Sequence, residues 1–226
     1  MNEVSAIIPA AGVGKRFSTE QKKQFFTIDG KPILFYTLKN LQNSFSFKEY
    51  IVGARSEDFG YVSKIFNELN INNYKLVEGG GERFETVYNC LNNASGNFIL
   101  IHDAVRPFVN KEIVTECIEL AFKNLAAICG VKPKDTVKKI GEGNSIESTI
   151  PRETIILAHT PQVFEREVLQ RAMDFQREKN IFVTDEAMAV ELIGHKVHVS
   201  KSSYDNIKLT APEDILFFKY FIERKI

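Results

Sequence analysis

Four cations, Lys15, Arg16, Lys22 and Lys23, fall within nine residues, with Glu20 the one acid among them. They follow Pro9-Ala10-Ala11-Gly12-Val13-Gly14, a run of small residues whose backbone N–H groups can approach an anion closely. Crowded like charges repel one another unless an anion sits among them. The segment therefore reads either as a phosphate loop or as an ordinary glycine turn with solvated lysines. It matches neither common phosphate signature. Phe17 stands where a dinucleotide fingerprint needs its third glycine, and a P-loop would need glycine at Pro9 and Ser or Thr at Arg16.

A second group is His102-Asp103-Ala104-Val105-Arg106-Pro107, directly after the apolar run Phe98-Ile99-Leu100-Ile101. A carboxylate at that point can hold Mg²⁺ beside a phosphate, or it can close a turn onto Arg106. Arg106 can in turn grip a phosphate with its planar fork or pair with Asp103. His102 reads as a packed histidine. Gly79-Gly80-Gly81, ahead of Glu82-Arg83, permits close backbone contact to a flat ligand such as a base, and equally reads as a plain loop. Asp205, Asn206 and Lys208 combine metal- and phosphate-type ligands in one short stretch, as would any solvated loop. Thr184-Asp185-Glu186 reads as a helix start and Thr160-Pro161-Gln162 as a turn.

Such groups act only if elements hold them at one edge. Short apolar runs over residues 4–9, 50–53, 74–77, 97–102, 126–131 and 196–199 read as strands, apolar enough to be buried on both faces. Helical patterns alternate with them over 32–41, 58–69, 82–92, 111–124, 165–178, 185–193 and 212–223. Thr210-Ala211-Pro212-Glu213 predicts a capping box at the last helix. The alternation predicts one α/β domain, a parallel sheet covered by helices on both faces, with the cations and Asp103 at its carboxyl edge. Residues 134–152 break the rhythm. They are polar, with β-branched residues flanking Gly141-Glu142-Gly143-Asn144, which predicts a projecting β-hairpin. A lone polar hairpin is marginal, so it is expected to pack on a partner subunit.

Composition removes several classes. Lys and Arg total 29 and Asp and Glu total 29, which disfavours a nucleic-acid partner because that needs a basic face. No run approaches a membrane span of about 18 apolar residues, so no membrane partner is expected. Three cysteines without CxxC spacing predict free thiols in the cytoplasm.

The ordered set PAAGVGKRF, KKQF, GKPIL, GGGERFETV, IHDAVRPF, KDTV, HTPQVF, TDEA and NIKLTAPEDI spans almost the whole chain. It resembles the 2-C-methyl-D-erythritol 4-phosphate cytidylyltransferase family. The resemblance implies a Rossmann-like nucleotidyltransferase fold, CTP and a polyol phosphate as substrates, Mg²⁺ dependence, and a homodimer clasped through the arm. Matched by motif, Ala10, Ala11, Gly12, Gly14, Lys15, Gly80, Gly81 and Thr86 would bind the nucleotide, while Arg16 and Lys23 would stabilise charge on the triphosphate. Asp103 would hold the metal, with Asp205 as a second contributor. Arg106, Thr136, Arg152, Thr160, Thr184 and Lys208 would gather around the polyol phosphate, Arg152 arriving from the second subunit. Two positions depart from the family. Lys22 replaces a usual proline, which is expected to loosen that loop, and Thr86 replaces a serine while keeping the hydroxyl. The related ribitol 5-phosphate cytidylyltransferases look different at Ala10-Ala11-Gly12 and at Thr184-Asp185-Glu186-Ala187. A non-catalytic nucleotide-binding regulator would not need Arg16, Lys23 and Asp103 together.

Overall fold

The computed structural model describes residues 2–12, 22–211 and 213–223. From the amino end, β1 (Val4–Pro9) leads to a two-strand hairpin, β2 (Thr27–Ile28) and β3 (Lys31–Pro32), closed by Asp29-Gly30, and then to α1 (Ile33–Ser44). Next come β4 (Glu49–Ala54), α2 (Phe59–Glu68), β5 (Tyr74–Glu78), α3 (Arg83–Leu91), β6 (Phe98–Ile101) and α4 (Lys111–Asn124). The carboxyl half holds β7 (Ala126–Val131), the arm strands β8 (Val137–Ile140) and β9 (Ile146–Ile150), and then β10 (Leu157–Glu165). It ends with α5 (Arg166–Lys179), α6 (Glu186–Leu192), β11 (His198–Lys201) and α7 (Asp214–Glu223).

Seven strands form the central sheet in the order β11-β7-β10-β6-β1-β4-β5. Alternate side chains of one strand face opposite layers. Ala6 and Ile8 of β1 pack in the layer of α1, α2 and α4. Ile7 packs in the layer of α3, α5 and α6. Both faces being apolar accounts for the unbroken hydrophobic runs in the sequence. The chain leaves β1 toward β4 and β5 on one side, then returns to place β6 on the other. That reversal opens a crevice beyond the carboxyl ends of β1 and β6, where open α/β sheets bind ligands.

The sheet is mixed rather than wholly parallel, because β10 runs antiparallel between β6 and β7. The sequence reads residues 160–162 as a turn. Here they lie inside this strand, at a register shift between His159 and Gln162. Pro161 cannot donate to a ladder and so marks the irregularity, and with His159 and Gln162 it breaks the apolar pattern that identifies strands. The last helix also starts differently from the predicted capping box. Asp214, not Glu213, accepts from the backbone N–H groups of Thr210 (2.7 Å) and Ala211 (2.9 Å). Among the described residues, no helix is long and apolar enough to cross a membrane.

The arm forms where the sequence places it. Among the described residues β8 and β9 pair only with each other, with Val137 opposite Ile150 and Ile140 opposite Ile146. Its base is fastened to the main body by Tyr204, whose hydroxyl donates to the Lys132 carbonyl and whose ring carries the Lys134 ammonium 3.8 Å from its centroid.

Candidate active site

The crevice is lined by several short segments. The first is the end of β1, where Ala10 N–H donates to the Gly53 carbonyl at 2.7 Å. Gln24, 2% exposed, reaches back and donates to the carbonyls of Ala10 (2.6 Å) and Gly12 (3.1 Å). One buried amide thereby fixes the small-residue segment and leaves Ala10, Ala11 and Gly12 lining the cleft with Lys23. Gly14, Lys15 and Arg16 lie outside the described residues.

The loop that Lys22 is expected to loosen lies, over residues 13–21, outside the described residues; Lys22 itself is anchored. Its ammonium sits 2.8 Å from Glu57 and 2.6 Å from Asp58, just ahead of α2. Its φ of −64° is the value a proline ring would impose. The ion pairs hold by charge a backbone shape that proline holds covalently.

The glycine turn is the second segment. Gly80 N–H donates to Thr86 Oγ1 at 3.1 Å, and Gly81 N–H to a Glu85 carboxylate oxygen at 2.7 Å. A Cβ on Gly79 would lie 2.2 Å from the Ala11 Cβ, so only glycine lets the two walls of the cleft meet. Gly80 and Gly81 line the cleft together with Thr86, whose hydroxyl also donates to the Glu82 carbonyl at 3.1 Å.

Asp103, at the end of β6, is the centre of the charge distribution. Lys208 Nζ lies 2.8 Å from Oδ2, Arg106 Nε 3.4 Å from Oδ2, and Arg83 Nε 3.3 Å from Oδ1. Burial favours a protonated Asp103, but the fields of Arg83 and Lys208, the Lys208 hydrogen bond and Arg106 outweigh it and hold the pKa far below the usual carboxylate range. Asp103 is therefore ionised. Burial and the opposing pull of Glu186 and Asp103 leave Arg83 firmly protonated. Arg106 pairs with Asp103, and its Nη1 donates to the Asn206 carbonyl at 2.6 Å.

Behind Asp103 runs a polar chain. Asp103 N–H donates to Thr160 Oγ1 at 3.1 Å, and that hydroxyl lies 3.1 Å from His102 Nδ1. His102 Nε2 is 2.9 Å from the Arg106 carbonyl. A carbonyl can only accept, so Nε2 carries the proton and Nδ1 accepts from Thr160. Burial pushes the His102 pKa down to about 4, so the ring is neutral and structural, as the sequence reading holds.

The structure gathers Lys23, Thr86, Asp103, Lys208 and the two small-residue segments around one cleft, with Arg106 and Thr160 supporting Asp103 from behind. It leaves others apart. Asp205 is exposed, with its backbone N–H and carboxylate both on the Ser203 hydroxyl (3.1 and 3.2 Å). Thr184 is exposed beside the Met188 sulfur. Thr136 and Arg152 stand exposed on the arm, where Arg152 Nη1 donates to the Lys134 carbonyl at 2.7 Å. Gln24, Arg55 and Arg83 line the cleft without being singled out by sequence. Gln24 and Arg83 were present only as unassigned letters in KKQF and GGGERFETV, and Arg55 lies in none of the motifs.

Asp103 is the carboxylate at this point of the cleft that could accept a cation. An ionised carboxylate offers about four lone-pair sites, of which the three cations use part. No cluster of three or more His, Cys, Asp or Glu among the described residues could hold a metal alone.

The family model of 2-C-methyl-D-erythritol 4-phosphate cytidylyltransferase (IspD) matches residues 4–224. The chain belongs to this family. A relative of that name from Clostridium botulinum (strain Eklund 17B) is 39% identical over 225 residues, covering 98% of this chain and 100% of the relative. The crystal structure of 4-diphosphocytidyl-2C-methyl-D-erythritol synthase from Anaerococcus prevotii superimposes with a TM-score of 0.89 at 29% identity, covering 99% of each chain. The Francisella tularensis cytidylyltransferase gives a TM-score of 0.80 at 31% identity, covering 96% of this chain and 99% of that one. The fold is thus that of this nucleotidyltransferase family, as the resemblance implies, and the protein is an enzyme of the cytidylyltransferase class.

Proposed function

We propose that the protein transfers the cytidylyl group of CTP to 2-C-methyl-D-erythritol 4-phosphate, releasing pyrophosphate. A phosphate oxygen of the polyol phosphate attacks the α-phosphorus. The new P–O bond forms as the bond to the β-phosphate breaks, so a phosphoanhydride is exchanged for a phosphoanhydride. The attacking phosphate is largely deprotonated near neutral pH, its second pKa being about 6. No general base is required, and the chain's task is to bind, align and neutralise.

The observation that carries this reading is the ionised Asp103 among cations at the switch point, facing Lys23 and two walls of small residues. Ala10, Ala11, Gly12, Gly80, Gly81 and Thr86 receive the cytidine, and Lys23 with Arg16, Gly14 and Lys15 receives the triphosphate. Asp103 holds Mg²⁺, with Asp205 as a lesser candidate; the ion, when bound, neutralises charge on the phosphates. Arg106, Thr160, Thr184 and Lys208 serve the polyol phosphate, with Thr136 and Arg152 supplied by a second subunit. Exposed Ile140, Ile146, Leu157, Val199 and Tyr204 on the arm and the β11 side support a homodimer. Three buried free thiols, Cys90, Cys117 and Cys129, fit the cytoplasm.

Incubating the protein with CTP, Mg²⁺ and either methylerythritol phosphate or ribitol 5-phosphate, and following pyrophosphate, tests the reading. Release with the first polyol and little with the second is expected. The reverse preference assigns the chain to ribitol phosphate, and binding of CTP without release from either assigns it to regulation.

A further inference from the structure

Arg83 is the first residue of α3, one turn from the glycine segment on the nucleotide side of the cleft. Its guanidinium faces two carboxylates at once. Nε lies 3.3 Å from Asp103 Oδ1, and Nη1 lies 2.6 and 2.8 Å from the two oxygens of Glu186. Glu186 is fully buried and opens α6, two residues after Thr184. The start of α6 is also fixed to β10, because Gln162 donates to Asp185 at 2.8 Å and accepts from Ala187 N–H at 3.2 Å. Arg83 therefore joins three elements, α3, the end of β6 and α6, that share no chain continuity.

We infer that Arg83, anchored by Glu186, is a positioning residue that fixes Asp103 and sets the spacing between the nucleotide and polyol-phosphate halves of the site. The inference builds on the proposed cytidylyl transfer. Its physical basis is the shape of guanidinium. Arg presents donors in several directions from one rigid plane, whereas an ammonium is a point charge on a flexible stem. Lysine at 83 could satisfy Glu186 or Asp103 but not hold both in register. A burial argument agrees. A fully buried carboxylate is costly unless paired, and a hydrophobic pair of similar volume is often as stable as an ion pair. Stability alone gives little reason for Glu186 to be charged at that point.

The alignment role makes a distinctive kinetic demand. A displacement near 1 Å in reacting geometry can cost on the order of 10² in rate while leaving each substrate bound. The test uses three variants of the full-length protein: Arg83→Lys, Glu186→Gln, and the double variant Arg83→Met/Glu186→Met, which removes the ion pair without stranding a charge. Pyrophosphate release gives kcat and KM, calorimetry gives CTP affinity, and thermal unfolding gives Tm. The expected result is a fall of about tenfold or more in kcat in all three variants. CTP affinity should stay within about threefold, and the double variant should keep a Tm close to the unaltered protein. A purely structural clamp would lower Tm and leave kcat at low temperature intact. A folded double variant and Arg83→Lys with undiminished kcat would overturn the inference. If the unaltered protein releases no pyrophosphate, the cytidylyl-transfer reading fails as well, and the two failures are told apart.

Discussion

Lys23 and Lys22 are neighbours with opposite work. Lys23 lines the cleft, where under the proposed transfer a cation would stabilise charge that grows as pyrophosphate departs. Such a contact is stronger in the transition state than in the ground state, so its loss lowers kcat and not affinity alone. Lys23→Ala is expected to lower kcat by about 10²–10³, measured by steady-state pyrophosphate release. An unchanged kcat with a raised KM would make Lys23 a binding residue only. Lys22 acts through Glu57 and Asp58. Partly exposed pairs contribute about 0.2–1 kcal/mol, so Lys22→Met should raise the KM for CTP by about 1.4- to fivefold. Lys22→Pro should restore it, since its ring supplies the observed φ of −64° without the charges. Equal KM values in all three proteins would show that the ion pairs do not hold the loop. Asp103 illustrates what residue types alone leave open. The sequence offers metal ligand or turn-former, and only the placement of Arg83 and Lys208, distant in the chain, makes it an ionised centre.

At the scale of elements, most of the site's framework was legible. β1, β6 and the helices after them follow from apolar period; the Asn110 cap of α4, which accepts from Ile113 N–H, was not read from the sequence. β10 was not legible, because Pro161 and the polar His159 and Gln162 erase the strand pattern. Nor was the partner of Glu186, since an ion pair spanning 103 residues leaves no local trace. The glycine turn gains its meaning from tertiary contact: Gly79 is needed because Ala11, on a different element, comes within reach of its missing Cβ. Gly79→Ala is therefore an overpacking change, with an expected cost of about 1–3 kcal/mol in unfolding free energy and a weaker CTP complex. Urea unfolding and CTP titration check both. A variant with unaltered stability and CTP affinity would show that the two walls can part freely.

On the scale of the whole molecule, the arm is the feature a single subunit leaves unexplained. It pairs only with itself, exposes Ile140 and Ile146, and carries Arg152 away from its own cleft. A two-fold dimer would make the loan of Arg152 reciprocal. Mixing Arg152→Ala with Lys23→Ala under subunit exchange should then restore activity, because each heterodimer regains one intact site. No recovery after verified exchange would confine Arg152 to its own subunit.

The proposed transfer turns on where the new bond forms, and ³¹P NMR of the reaction mixture reads that directly. With CTP, Mg²⁺ and methylerythritol phosphate, attack at the α-phosphorus predicts two coupled resonances of a cytidine diphosphate diester together with free pyrophosphate. Appearance of CDP with a polyol diphosphate, or of CMP with the polyol phosphate unchanged, would contradict it.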